Sequence, residues 1–287
     1  MYLISKYRRI SMTLFMYKTQ NPHAKVVVAI PIYKEIPSQD DLLSIRQCFK
    51  ILAKYPIVAA KPKELSLKNY PFSFNGVEEF DGRYFEGIKG YNELMLSSVF
   101  YNRFLNSSYI LIYQTDAFVF SDQLSYWCDL NYDYIGAPWL YRDYIDKTKY
   151  LKESIKGWIH RRWNIKDQIS GLPTEIQFHN VVGNGGFSLR RVSVFHHLCK
   201  KYRSEINGYL LHSEKHYNED VFWSIEVNRK RRHIKVPSFK KALHFAIESY
   251  PTLAWSLVNQ NLPFGCHGWD KCREFWKPIF KEQGYDI

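Results

Sequence analysis

Residues 109–120 read Tyr109-Ile-Leu-Ile-Tyr-Gln-Thr-Asp-Ala-Phe-Val-Phe120, and this run decides the fold. Its first five residues are apolar or aromatic and partly β-branched, the pattern of a strand buried on both faces. The run then breaks into Gln114-Thr115-Asp116 before apolar residues resume at Ala117. A carboxylate at the end of a buried strand is costly to desolvate unless a cation or hydrogen-bond donors meet it. In open α/β sheets that carboxyl end is also where ligands bind. Taken alone, Asp116 reads as a residue capping the next turn. Its company further along the chain is what changes that reading.

On the N-terminal side, Lys25-Val-Val-Val-Ala-Ile-Pro-Ile-Tyr-Lys-Glu35 is a continuous apolar strand broken by Pro31. Residues 40–54 follow as an amphipathic helix, with Leu42, Leu43, Ile45, Cys48, Phe49, Ile51 and Leu52 on one side. Residues 57–60 make a second short strand. Strand, helix and strand in succession predict a parallel, right-handed βαβ unit. Residues 64–90 read as irregular, and residues 91–105 as a helix that delivers the chain into the Tyr109 strand.

On the C-terminal side, residues 120–130 form a helical segment, and residues 132–139 a short strand closed by Gly136 and Pro138. Residues 141–175 are basic and weakly periodic, with Trp158 and Trp163 among the cations. They read as an insertion over the site or on an acidic surface, or as a solvated helical excursion. Asn180-Val-Val-Gly-Asn-Gly-Gly-Phe-Ser-Leu-Arg190 carries three glycines within four positions, which lets backbone approach a ligand closely. It is neither a Walker loop nor a GxGxxG fingerprint. A helix over 192–202 follows. Asn218-Glu219-Asp220 opens another helix, where carboxylates also suit the macrodipole. Residues 234–237 read as a strand, residues 242–248 as an apolar piece, and His267 sits in the aromatic turn Pro263-Phe-Gly-Cys-His-Gly-Trp269. A lone histidine is more often structural than a ligand, although with Asp116 it completes a candidate metal pair.

Composition narrows the class. The 287 residues are 46% hydrophobic and 24% charged, as in a folded globular protein. A net charge of +12, from 40 Lys and Arg against 28 Asp and Glu, points to an anionic partner: nucleic acid, an acidic leaflet or a phosphorylated small molecule. Five cysteines without CxxC spacing argue against a zinc or disulfide framework and for a cytoplasmic setting. No apolar run reaches the ~18 residues of a membrane span. The first 20 residues lack the long apolar core and cleavage site of a signal peptide, and read as an interfacial helix or a frayed extension.

Taken in order, Gln114-Thr-Asp116, Gly183-Asn-Gly-Gly186, Asn218-Glu-Asp220 and His267 resemble the motifs of nucleotide-sugar-dependent glycosyltransferases of the GT-A fold. Those motifs are a strand ending in Asp-x-Asp, a glycine-rich loop, an x-Glu-Asp helix start and a late histidine. Pro31-Ile-Tyr-Lys-Glu35 is similar to their Pro-x-Tyr-Asn-Glu opening. The strings around these motifs look like a bacterial and fungal family of unknown function taken to be glycosyltransferases.

The resemblance covers roughly residues 25–275. It implies a single α/β domain with a GT-A-like (Rossmann-like) mixed, mainly parallel sheet flanked by helices. An N-terminal extension (1–24), the basic insertion (141–175) and a C-terminal tail (276–287) complete that expectation. Pro31, Tyr33, Gln114, Thr115, Asp116, Gly185 and Gly186 would hold the donor, and Asp116 and His267 a Mn²⁺ or Mg²⁺ ion. Lys34 and Arg190 would help neutralise the diphosphate, and Trp139 and Trp269 would offer sugar platforms. Asp220 would be the base of an inverting transfer, with Glu219 orienting the acceptor or the loop.

The implied reaction moves a sugar from a nucleoside diphosphate to a glycan or lipid-linked hydroxyl in surface polysaccharide or glycolipid synthesis. The setting would be cytoplasmic, with docking to the anionic inner face of a membrane. One departure stands out: Gln114 replaces the first acidic position and leaves one carboxylate. Two other readings stay open, a basic nucleic-acid-binding module and a catalytically silent GT-A-like binding protein.

Overall fold

Six consecutive buried residues make β1 (Val26–Pro31), with Val26, Val28 and Ile30 facing one core and Val27 and Ala29 the other. The computed structural model describes residues 26–141 and 147–287, with side chains for all but 147–150. The extension expected over 1–24 and its interfacial-helix reading lie outside the described residues.

Ser38 caps helix α1 (Gln39–Leu52) in a reciprocal capping box with Asp41. β2 (Ile57–Pro62) returns parallel to β1, as the βαβ pattern requires. Residues 64–90, read as irregular, contain a strand. β3 (Gly76–Phe80) pairs parallel with β2 at the sheet edge, where one-sided burial lets Glu78 and Glu79 interrupt the apolar signal. The helix expected over 91–105 is two, α2 (Gly87–Met95) and α3 (Ser98–Asn102), because Ser97 stops the first and caps the second.

β4 (Tyr109–Tyr113) is wholly buried and pairs parallel with β1. After Asp116 the chain leaves this sheet as β5 (Ala117–Val119), and α4 (Leu124–Asp129) follows. Residues 132–139 divide between β6 (Tyr134–Ile135) and β7 (Pro138–Trp139), which join different sheets. The basic segment carries α5 (Lys147–Trp163) and a single 3₁₀ turn, Glu175–Phe178.

β8 (Val181–Val182) pairs with β7. β9 (Phe187–Arg191) runs antiparallel to both β4 and β6. The six-stranded order is β3-β2-β1-β4-β9-β6, a mixed, mainly parallel sheet. α6 (Val192–Lys201), α7 (Arg203–Tyr209), α8 (Glu219–Ser224) and α9 (Phe239–Ala242) come next. The strand expected at 234–237 is not there; the segment is held as a loop by Asn228 and Asp133, which accept from its backbone.

β10 (Ala246–Ile247), α10 (Pro251–Leu257), β11 (Gly265–His267) and α11 (Arg273–Glu282) close the chain. β10, β11 and β5 form a small second sheet. Its core includes Trp276 and Phe280, and the Tyr285 hydroxyl donates to Gln47 at 2.8 Å. Residues 276–287 are therefore not a free tail; they complete the third core cluster. Among the described residues no helix is long and apolar enough to cross a membrane.

Candidate active site

Three strand ends meet at the carboxyl edge of β4. β9 pairs Phe187 with Tyr113, which sets Gly186 beside Gln114, whose backbone N–H donates to the Gly186 carbonyl at 2.8 Å. β11 pairs His267 with Ala117, the residue after Asp116. Pairing registers thus bring Gln114, Asp116, Gly186 and His267 together from three distant parts of the chain. His267 Nε2 lies 3.1 Å from Asp116 Oδ1 and 3.0 Å from Gln114 Oε1. Its Nδ1 lies 3.1 Å from Glu248 Oε1 and 3.0 Å from the Asn184 amide nitrogen.

The electrostatics follow from that geometry. Burial alone would lower the His267 pKa, but hydrogen bonds and charge from Asp116 and Glu248 outweigh it and hold it up at about 10. The same contacts overcome the burial penalty on Asp116 and Glu248 and keep both carboxyls below their ordinary range.

A divalent cation would fit the donor set once it displaces the His267 proton, since histidine ligates through a neutral ring. Oxygen and imidazole donors roughly 3 Å apart have the spacing of neighbours in an octahedral shell with bonds of about 2.1 Å. The Glu248 carboxylate behind Nδ1 would orient the ring, as partners of metal-bound histidines do. Among the described residues no three His, Cys, Asp or Glu gather as a metal cluster. The third donor here is the Gln114 amide oxygen.

The glycine loop is shaped by what presses on it. A Cβ on Gly186 would fall 1.9 Å from His267 Nε2, and one on Gly185 would fall 1.8 Å from Glu219 Oε1. Asn184, in the left-handed region at φ 63°, accepts from the Gly186 amide at 3.0 Å. Gly186→Ala is expected to push His267 away from Gln114 and Asp116. Its effect should appear as lost metal-dependent stabilisation in a thermal melt, with Gly208→Ala, at an open position, as the neutral control.

Beneath the loop lies a buried ion pair. Arg190 is fully buried and binds Glu219 through two hydrogen bonds of 2.9 and 3.0 Å. It also donates to Tyr101, Ser188 and the Gly185 carbonyl. Arg190 is therefore engaged within the core and is not free to neutralise a diphosphate. Glu219 reaches the glycine loop rather than open space.

Its neighbour Asp220 is in the opposite situation. Half-buried at the start of α8, it lines a cavity of about 420 Å³ with Trp139, Tyr141, Phe178 and His179. Burial first, then the nearby charges of Glu219 and Glu248, pushes its pKa up to about 7. A larger hollow of about 890 Å³, between α10 and the turn after β11, contains none of the strand-end residues.

The remaining expected residues divide. Pro31 ends β1, and Tyr33 beyond it is 53% exposed, with the Lys34 ammonium 5.7 Å from its ring. Thr115 is buried and donates to Asp41 at 2.5 Å, while Lys34 pairs with the same carboxylate at 2.8 Å. Thr115 thus braces the first turn of α1. Trp139 does line the cavity, its ring 5.4 Å from Phe178 and perpendicular to it. Trp269 is fully buried against Phe280 and is core, not a platform.

Sequence reasoning missed Glu248 as a partner of His267 and left Asn184 as one residue of a turn. Glu248 follows the apolar β10 directly, and an acid at a strand end was the signal already applied to Asp116. Only the β10–β11 pairing shows which histidine it meets. Lys271 carries no sequence signal of its own, yet its charge acts on both Asp116 and Glu248.

A family model described as "Protein of unknown function (DUF5672)" matches residues 75–267. No curated protein matches the chain. Among solved structures it is similar to core-mannan synthase A (CmsA/Ktr4) from Aspergillus fumigatus in an Mn/GDP form. That likeness has a TM-score of 0.47 and 12% identity, over 77% of this chain and 74% of the other. It is also similar to mouse xyloside xylosyltransferase 1 in its apo form, at TM-score 0.45 and 10% identity over 85% and 97% of the two chains. A third is the galactosyltransferase LgtC with donor and acceptor sugar analogues, at TM-score 0.49 and 11% identity over 84% and 86%.

Proposed function

The chain belongs to the DUF5672 family, and we propose that it is a glycosyltransferase moving a sugar from a nucleoside-diphosphate sugar to a hydroxyl of a glycan or lipid-linked acceptor. One observation carries the reading. A strand-end acid, a histidine and an amide oxygen converge beside the glycine loop, and the next carboxylate after Glu219, with a raised pKa, lines an aromatic cavity. A cation held in the first environment would meet the diphosphate, and a hydroxyl to be deprotonated suits the second.

The roles then follow the chemistry. Asp116, His267 and Gln114 would hold Mn²⁺ or Mg²⁺, which supplies charge neutralisation for the departing diphosphate. Lys271 adds positive charge on the same side. Tyr33 stands exposed where a base ring can stack, beside Lys34 at the end of β1. Gly185 and Gly186 let Glu219, His267 and Gln114 close against the loop and so shape the donor side of the site. Asp220 takes the proton from the acceptor hydroxyl as that oxygen attacks the anomeric carbon, and attack opposite the leaving group inverts the centre. Glu219 acts through the loop: its pair with Arg190 fixes the floor under Gly185. Trp139 is the acceptor platform.

The test is a thermal-shift panel of nucleoside diphosphates and nucleotide sugars, with and without Mn²⁺. A ligand at a hundred times its Kd should stabilise the native state by about 2.7 kcal/mol. A base-selective shift, strengthened by metal and absent in Asp116→Ala, is the expected result. A panel with no nucleotide shift, alongside a shift with single-stranded nucleic acid, would instead favour the binding-module reading.

A further inference from the structure

Helix α5 turns polar residues to the protein and leaves its apolar ones outward. The side facing the protein is polar: Glu153, Gly157, His160, Arg161 and Asn164 recur at helical spacing. His160 Nδ1 meets the Thr174 hydroxyl at 2.7 Å, and Arg161 donates to the Gln177 carbonyl at 3.0 Å. The Gln177 side chain donates to the Asn164 side-chain oxygen at 3.2 Å, and Glu153 faces His179.

The opposite side carries Leu151, Ile155, Trp158 and Trp163 at 60, 52, 58 and 70% exposure, with Ile159 beside them. Leu151, Ile155, Trp158 and Ile159 share one side with Arg162 among them, and Trp163 lies toward the Lys152 flank. Exposed apolar residues grouped this way on a surface helix mark a site of contact. Basic residues border it. Lys152 and Lys156 lie exposed along one flank, the Arg162 guanidinium stands 5.4 Å from the Trp163 ring, and Lys166 follows the helix end.

We propose that α5 docks the protein on an anionic lipid surface, lying in the plane of the interface with this stripe among the headgroups. Exposed Trp and Leu flanked by Lys and Arg suit the boundary between headgroups and acyl chains. A second copy fits less well, because apposed stripes would bring Lys152, Lys156, Arg162 and their equivalents against like charges. The polar contacts beneath α5 are made to the turn Glu175–Phe178 and its flanks, and Glu175, Phe178 and His179 also line the cavity beside Asp220. On the glycosyltransferase reading, docking would bring the mouth of that cavity close to the lipid. The docking itself does not depend on that reading.

The experiment is co-sedimentation of the full chain with vesicles of phosphatidylcholine alone or with one-third phosphatidylserine. Wild type is compared with a variant carrying Leu151→Gln, Ile155→Gln, Trp158→Gln and Trp163→Gln. The four side chains are exposed and the net charge is unchanged, so the fold should be kept, and circular dichroism checks it. We expect wild type to bind the anionic vesicles preferentially and the variant to bind at least about tenfold more weakly.

Equal binding by the variant would reduce the effect to bulk charge and overturn the proposal, as would indifference of wild type to both vesicle types. A wild-type dimer that the variant converts to monomer, seen by light scattering without lipid, would assign the stripe to a second copy instead. The nucleotide thermal shift, run on the same variant, should persist, which keeps failure of docking separate from failure of the donor site.

Discussion

Asp220→Asn is expected to lower transfer by about 10²–10⁴-fold, the contribution of a positioned general base, while leaving nucleotide binding in place. The amide has nearly the shape of the carboxylate but cannot accept the proton. In the wild-type protein, transfer should rise with pH through about 7, because the base works only when ionised and burial holds its pKa there. The variant should lose that limb of the profile.

Stability moves the other way. Asp220 has a folded pKa above its ordinary 3.8, so the cost of burying its charge is absent below about pH 4 and grows as pH rises to about 7. Asp220→Asn removes that cost, and at pH 8 it should melt no lower than wild type. A low-activity variant with an undiminished melting temperature isolates the chemistry. Unchanged transfer would sink the assignment of the base.

The second large effect is on the fold. Arg190→Met should destabilise the protein by about 3–5 kcal/mol, because it leaves the Glu219 carboxylate buried without its partner. That corresponds to a fall in melting temperature of roughly 5–8 °C for a chain of this size. Tyr101, Ser188 and the Gly185 carbonyl lose a donor at the same time. The double substitution Arg190→Met with Glu219→Leu should recover much of the stability, since replacing both buried charges by apolar groups is often nearly neutral. Denaturant titration of the three proteins measures this. A single variant as stable as wild type would show that the pair does not hold the floor of the loop.

The sequence alone determined the architecture around Asp116. Runs such as Val26–Pro31 and Tyr109–Tyr113 are apolar at every position because both faces of a central strand are covered, and that requirement is visible residue by residue. Intervening helical periodicity implied the parallel crossover. The four motifs that would carry chemistry were legible for a related reason: a carboxylate, a glycine cluster or a histidine breaking an apolar run is costly without a purpose.

The partnerships were decided only by tertiary structure. Arg190 and Glu219 are 29 positions apart and looked like two candidates for ligand contact, yet the registers of β9 and α8 spend each on the other. Glu248 and His267 meet because β10 and β11 pair, and Trp269 falls inward because Phe280 folds back over it. Edge strand β3 and the inverted face of α5 were equally hidden. Local pattern reports how much of a residue is buried, whereas which side is covered, and by what, depends on residues far away in the chain. In α5 the apolar residues were visible in the sequence, but only the polar contacts to Thr174 and Gln177 reveal that they face out.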